Sequence, residues 1–250
     1  MKLPALLALL VVALLQPEET SSQVCSKPSD VALLIDASGS IGRRRWPKVV
    51  EFTQAIINSF NVSEEGSHVG IILYSTKTEL LVKFNTFQGS ELTADNINAK
   101  VAAVNYRDWG GLTYIDRALK LANEQLFSPE GGMRASKDIL KVAVVFTDGK
   151  QTKDKGPFTE LQIASQPLKD KDVQVYGLGI GDETTIDVQE MQEMANKPEN
   201  VLTAKTFEEL KNLAAQITQG VCEIKYQYVI QVYKLSKCIG DPGKKVIQFN

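Results

Sequence analysis

The chain has 250 residues, 43% of them apolar and 23% charged, with a formal net charge of -2 at pH 7. That is an ordinary globular composition, long enough for one full-sized domain with short appendages. So even a charge balance excludes a global attraction to nucleic acid or to an anionic membrane, and partners must be chosen by a local site.

Met1-Lys2 is followed by an apolar stretch of 13 residues, Leu3 to Leu15. It is too short to span a bilayer and has the form of a secretory signal core. Residues 1–21 are read as a signal peptide, cleaved between Leu15 and Ser22. No later stretch is apolar for long enough to anchor the chain, so a secreted product without membrane insertion is expected. Cys25, Cys222 and Cys238 then sit in an oxidising compartment. Residues 22–29 form a linker carrying Cys25, just before the first core strand, and Cys222 falls just after the last amphipathic helix. A Cys25–Cys222 bridge would tie the two ends of the domain together. Cys238 is left over, either to pair between chains or to stay free.

Val31-Ala32-Leu33-Leu34-Ile35 is apolar without alternation, which reads as a strand buried on both faces. The loop Asp36-Ala37-Ser38-Gly39-Ser40 is therefore a strand's carboxyl end, where open parallel α/β sheets place their ligands. Oxygen-bearing side chains at the first, third and fifth positions can turn inward together, with Gly39 expected to let the backbone bend sharply. One carboxylate and two hydroxyls carry too little charge for Ca²⁺. They suit Mg²⁺ (or Mn²⁺) that keeps waters or draws ligands from elsewhere.

Trp46, Val49, Val50, Thr53, Ile56, Ile57 and Phe60 recur at helical spacing, with Pro47 expected in the first turn. Arg43, Arg44 and Arg45 at the start of that helix oppose its macrodipole, so local stability does not account for them. A solvated basic run is the plain reading, and a rim that draws an acidic partner toward the cation is the functional one. Asn61-Val62-Ser63 is an acceptor pattern for N-glycosylation in a polar turn. Residues 67–74 and 78–84 read as strands whose three-residue link permits only an antiparallel hairpin.

A short helix is expected over 93–104. Ile115, Ala118, Leu119, Ala122 and Leu126 form another helical stripe, with Thr113 at its start and Asp116 three residues on, the pattern of a capping box. A loop over 127–137 leads to a second fully apolar strand, 139–146, which ends in Thr147-Asp148-Gly149. A charged loop (150–157), a helix (159–168) and a third buried strand (173–180) follow. Then come a helix (186–195), a short strand (200–203) and a last helix (206–220) capped by Thr206 and Glu209. Strands alternating with helices imply a doubly wound, mostly parallel sheet covered on both faces. Gly177, Gly179 and Gly181 imitate a dinucleotide fingerprint with the third glycine one residue early, and are read as tight packing. Residues 223–250 form a tail with five lysines against one glutamate and one aspartate, suited to an edge strand or to the stub of another module.

Three separated motifs carry a family signature. Asp36-x-Ser38-x-Ser40 after the first strand, Gly111-x-Thr113 before a helix and Thr147-Asp148-Gly149 after a later strand resemble the von Willebrand factor type A (vWA) domain. Their order and spacing are similar to that family's metal-ion-dependent adhesion site, and the likeness runs from Cys25 to Cys222, with residues 30–222 as the domain. The general resemblance is to the extracellular matrix branch, such as matrilins and non-fibrillar collagens. The resemblance implies a six-stranded mixed sheet with one antiparallel edge and about seven helices. It implies a cation held by the Ser38 and Ser40 hydroxyls, with Asp36 and Asp148 near it or acting through water, and Thr113 joining when ligand is bound. The final oxygen would come from a carboxylate of an extracellular protein, collagen or another matrix component.

Each residue also has a plain use, since Ser40 can begin a helix, Thr113 can cap one and Asp148-Gly149 is a common turn pair. It is their joint placement at one sheet edge that favours a binding site. His68, the only histidine, lies at a strand start far from these loops and is read as structural. The expected function is non-enzymatic adhesion in the extracellular matrix. The alternatives are a matrix component that mainly associates with itself, or a metal-dependent phosphohydrolase.

Overall fold

Every residue of the strand Ser29–Asp36 (β1) is buried, because it lies mid-sheet with a parallel neighbour on each side. These are β2 (Ser67–Tyr74) and β4 (Leu140–Thr147). The computed structural model describes residues 25–181, 184–206, 209, 213–214 and 216–222. The expected signal peptide, the tail with Cys238, and Asp182 and Glu183 lie outside the described residues.

Six strands are ordered β3-β2-β1-β4-β5-β6, with β3 at Thr78–Val82, β5 at Val173–Ile180 and β6 at Val201–Ala204. All neighbours are parallel except the β2–β3 hairpin. Five α-helices are described in full: α1 (Gly42–Asn58), α2 (Ala94–Ala102), α3 (Ile115–Leu121), α4 (Leu161–Lys169) and α5 (Val188–Met194). Residues 213–214 and 216–222 belong to a further helix. This is the doubly wound, mostly parallel sheet that the alternation of elements predicts, with the antiparallel edge strand that the short link after Tyr74 and the family resemblance imply.

The unbroken apolar run in β1 follows from its two faces. Val31, Leu33 and Ile35 enter a core with α1, α2 and Leu213, Ala214 and Ile217, while Ala32 and Leu34 enter another with α3 and α4. Opposite pointing of successive strand residues divides the run between the two cores.

Several boundaries differ from the sequence reading. Helix α1 begins at Gly42, so Pro47 stands in its second turn, on an exposed face. Strand β3 stops at Val82, because the register shifts between Ile71 and Ile72 and the Phe84 N–H bonds instead to the Gly131 carbonyl, 2.9 Å away. The stripe after Thr113 also continues past α3 as a π-turn, Ala122–Leu126, closed by Phe127 N–H to the Ala122 carbonyl at 2.7 Å. The glycines of β5 serve packing, as read. A Cβ on Gly179 would stand 2.8 Å from Ile186 Cδ1, and one on Gly177 3.1 Å from Met191 Cε.

The amino-terminal end of the sheet is tied together covalently and by charge. Cys25 and Cys222 are disulfide-bonded across 197 residues. Asp30, fully buried, accepts from Arg134 N at 2.8 Å and Arg134 Nε at 2.7 Å. Ser29 and Ser67 share a 2.8 Å hydroxyl bond beside it. His68 is also here, its ring Nε2 3.2 Å from the Glu64 carbonyl, with burial and Arg134 lowering its proton affinity. Asn61 is exposed nearby.

Candidate metal-binding site

The opposite, carboxyl end of the sheet brings three loops together. The first leaves β1 at Asp36 and is held by main-chain bonds on both sides. Ala37 N–H donates to the Tyr74 carbonyl at 2.8 Å, Gly110 N–H to the Ala37 carbonyl at 2.9 Å, and Gly39 N–H to the Gly111 carbonyl at 3.0 Å. The backbone turns at Gly39, as expected, without a left-handed conformation there. The missing Cβ of Gly39 admits the Gly111 carbonyl, which would lie 3.2 Å from such an atom, and the left-handed conformations fall on Gly110 and Gly111.

Asp36 is fully buried, its Oδ1 accepting from Ser38 N–H at 2.7 Å and its Oδ2 from the Thr147 hydroxyl at 2.8 Å. Ser38 Oγ and Ser40 Oγ are 2.9 Å apart, and Ser40 Oγ donates to Asp148 Oδ1 at 2.5 Å. One chain of hydrogen-bonding oxygens thus links the loops after β1 and β4. Thr113 joins from the third. A Cβ on Gly149 would lie 3.6 Å from Thr113 Oγ1 and 3.7 Å from Ser40 Oγ, so both hydroxyls flank Gly149.

Burial is the main cause of raised proton affinity at both acids. It pushes the Asp36 carboxyl up to about 6 against the opposing bonds from Ser38 and Thr147, with the Asp148 charge adding to the rise. Asp148 is raised too, against the opposing effects of Ser40 and Arg45. Two buried acids served mostly by neutral donors are under-compensated, and a divalent cation would supply the missing charge.

The donor set fits such an ion. It is made only of hydroxyl and carboxylate oxygens, which suit a hard cation. Among the described residues no three His, Cys, Asp or Glu side chains converge. A cation here would therefore depend on Ser38, Ser40 and Thr113 beside Asp36 and Asp148, and on oxygens from outside the chain.

The structure divides the three arginines. Arg43 and Arg44 are exposed in the first turn of α1. Arg45, whose side chain is also half-exposed, folds back over the site, with Nη1 3.3 Å from Asp148 Oδ2, Nε donating to the Ile41 carbonyl at 3.0 Å and Nη2 donating to the Ser40 carbonyl.

Thr113 does not cap α3, and the expected capping box with Asp116 is not formed. Gln151 Oε1 accepts from Ile115 N–H at 2.7 Å and Asp116 N–H at 3.3 Å, while Gln151 Nε2 donates to Asp116 Oδ1 at 2.7 Å. Asp116 is occupied further by Thr159 N–H at 2.8 Å, so it has no call to reach back to Thr113. Thr113 and Thr152 instead exchange bonds, Thr113 N–H to Thr152 Oγ1 at 3.1 Å and Thr152 N–H to the Thr113 carbonyl at 2.8 Å. The segment after Asp148 is thus latched to the loop that carries Thr113. Tyr106, not singled out from sequence, braces the first loop by donating to the Ser38 carbonyl and accepting from Gly42 N–H at 2.9 Å.

Known proteins are similar to this chain in sequence and in fold. A profile of the von Willebrand factor type A domain matches residues 30–216. The mouse collagen alpha-5(VI) chain is 28% identical over 194 residues, covering 77% of this chain and 7% of its own. Cuticlin-6 of Caenorhabditis elegans is 32% identical over 205 residues, covering 82% of this chain and 32% of its own. This chain thus spans less than a third of either relative. Among solved structures, proximal thread matrix protein 1 of the mussel byssus, described with a zinc-occupied MIDAS motif, superposes with a TM-score of 0.69 at 26% identity, over 79% of this chain and 49% of that one.

Proposed function

Because the chain belongs to the von Willebrand factor type A family, we propose that it is a secreted adhesion module of the extracellular matrix, binding an acidic side chain of another protein through a divalent cation. The observation that carries this reading is the convergence of Asp36, Ser38, Ser40 and Asp148 at the carboxyl end of the sheet, where buried Asp36 is met by neutral donors alone. Two carboxylates leave a divalent ion nearly neutral, and hydroxyl ligands withdraw little of its Lewis acidity. An incoming glutamate or aspartate would then be bound strongly. Mg²⁺ or Mn²⁺ suits the oxygen donors, and the zinc in the mussel protein's motif is a third candidate for the same position. The relatives are matrix and cuticle proteins, which favours an extracellular setting and a matrix partner.

Binding is favoured over turnover by the state of Asp36. It is fully buried, and the position two residues on, where an aspartate-nucleophile phosphatase would carry its second acid, is Ser38. Arg43 and Arg44 would form a basic rim, and exposed Asn61 would carry a glycan. A pull-down from extracellular matrix, with Mg²⁺ against EDTA and with wild type against Asp148→Ala, tests the proposal. Capture that needs both cation and Asp148 is expected. Capture indifferent to both would overturn it, and disulfide-linked multimers on a non-reducing gel would favour self-assembly through Cys238.

A further inference from the structure

The arginine folded back over the site is the feature that adhesion alone does not require. All three nitrogens of the Arg45 guanidinium are engaged: Nη1 with Asp148 Oδ2 at 3.3 Å, Nε with the Ile41 carbonyl at 3.0 Å and Nη2 with the Ser40 carbonyl. Two of these anchors lie on the loop that carries Ser38 and Ser40, and the third is an acid of the site itself. Asp148 in turn has both oxygens in use, Oδ1 accepting from Ser40 at 2.5 Å. A guanidinium held this way lends the buried carboxylate a positive charge from within the chain.

A divalent ion drawing on Asp148 would meet that guanidinium at the same carboxylate, and two cations so close repel. Arg45 has somewhere to go, since its side chain is 49% exposed where that of Asp148 is 2% exposed. The first turn of α1 contains no acidic residue to receive it, and Arg43 and Arg44 are exposed in that same turn.

We propose that Arg45 is a resident cation that competes with the metal for Asp148, so that metal uptake releases it to join Arg43 and Arg44 facing the acidic partner. The inference rests on the cation-site reading above and adds an exchange to it. The chain spends part of its metal affinity on giving Asp148 a counter-charge of its own, and returns a positive charge to the rim only when the site is loaded. The partner so selected carries further acidic groups beside the one that completes the metal shell.

The test is calorimetric titration of the full chain with Mn²⁺, comparing wild type, Arg45→Gln, Arg45→Lys and, as a distant charge control, Lys100→Gln on α2. Arg45→Gln should bind Mn²⁺ about three- to tenfold more tightly, the gain shrinking as NaCl rises. Its melting temperature in EDTA should fall below wild type, because Asp148 loses its counter-charge. Arg45→Lys keeps the charge but loses the fork, so its affinity should lie between the two, and Lys100→Gln should match wild type. Equal or weaker Mn²⁺ binding by Arg45→Gln overturns the exchange while leaving the cation site standing. If Arg45→Gln does not fold, Arg45→Lys decides alone: tighter binding than wild type supports the exchange, and equal or weaker binding overturns it. Absence of Mn²⁺ uptake in every chain overturns both readings.

Discussion

Strand β1 carries a fully buried aspartate near each end, and the two are treated in opposite ways. At the amino end, Asp30 meets a dedicated cation. Arg134 supplies two bonds to its oxygens, at 2.7 and 2.8 Å, and a third to the neighbouring Ser29 carbonyl at 2.8 Å. At the carboxyl end, Asp36 is met by neutral donors of Ser38 and Thr147, and burial raises its proton affinity against them. Burial is the same, and compensation is not. A buried charge matched by the chain itself is finished structure, whereas one left short of positive charge is a place prepared for something else.

That contrast can be broken most forcefully at Asp30. Arg134→Ala strands a buried carboxylate and should cost about 3–5 kcal/mol of stability in urea unfolding, with no change in Mn²⁺ affinity among molecules that remain folded. At the other end the sign reverses. Asp36→Asn should stabilise the metal-free protein at pH 7.5 by about 1–3 kcal/mol while abolishing the Mn²⁺-dependent rise in melting temperature.

Acidification sharpens the same point without mutation. Because the folded carboxyl of Asp36 sits at about 6 rather than 3.8, the folded metal-free chain takes up a proton that the unfolded chain does not across that window. Its contribution to stability is therefore lost as pH rises from about 4 to 6 and regained on acidification. Asp148, also raised, acts with the same sign. Mn²⁺ competes with that proton, so its affinity should fall as pH drops through 6, as titrations at pH 7.5 and 5 would read. The smallest effect is expected at the exposed rim. Arg43→Glu should weaken partner capture by less than about 1 kcal/mol and reduce its salt dependence. Equal salt slopes for wild type and variant would argue that the rim takes no part.

The sheet was legible because each buried strand is written as an apolar run, and the run in β1 needs no context to be read. The candidate loop was legible for a related reason: Asp36, Ser38 and Ser40 are close in the chain as well as in space. What escaped the sequence depends on partners far along the chain. Arg45 pairs with an acid 103 positions on, and Gln151 caps α3 from 36 positions away. Thr113 and Asp116 have the spacing of a capping box, but local spacing cannot report that Gln151 and Thr159 N–H already occupy Asp116. Arg134 lies in the loop before β4, where nothing in its surroundings marks it as the counter-charge of Asp30.

The disulfide at the amino end has a mechanical consequence. Cys25 and Cys222 flank the whole folded unit, so tension arriving along the chain on one side and leaving on the other crosses through a single sulfur–sulfur bond. The strands between them lie outside that line of force, and pulling on the chain would not peel β1 from its neighbours. Under oxidising conditions the loops at the carboxyl end of the sheet would keep their shape under that load. Only force entering through a bound partner, at the opposite end, would load the sheet.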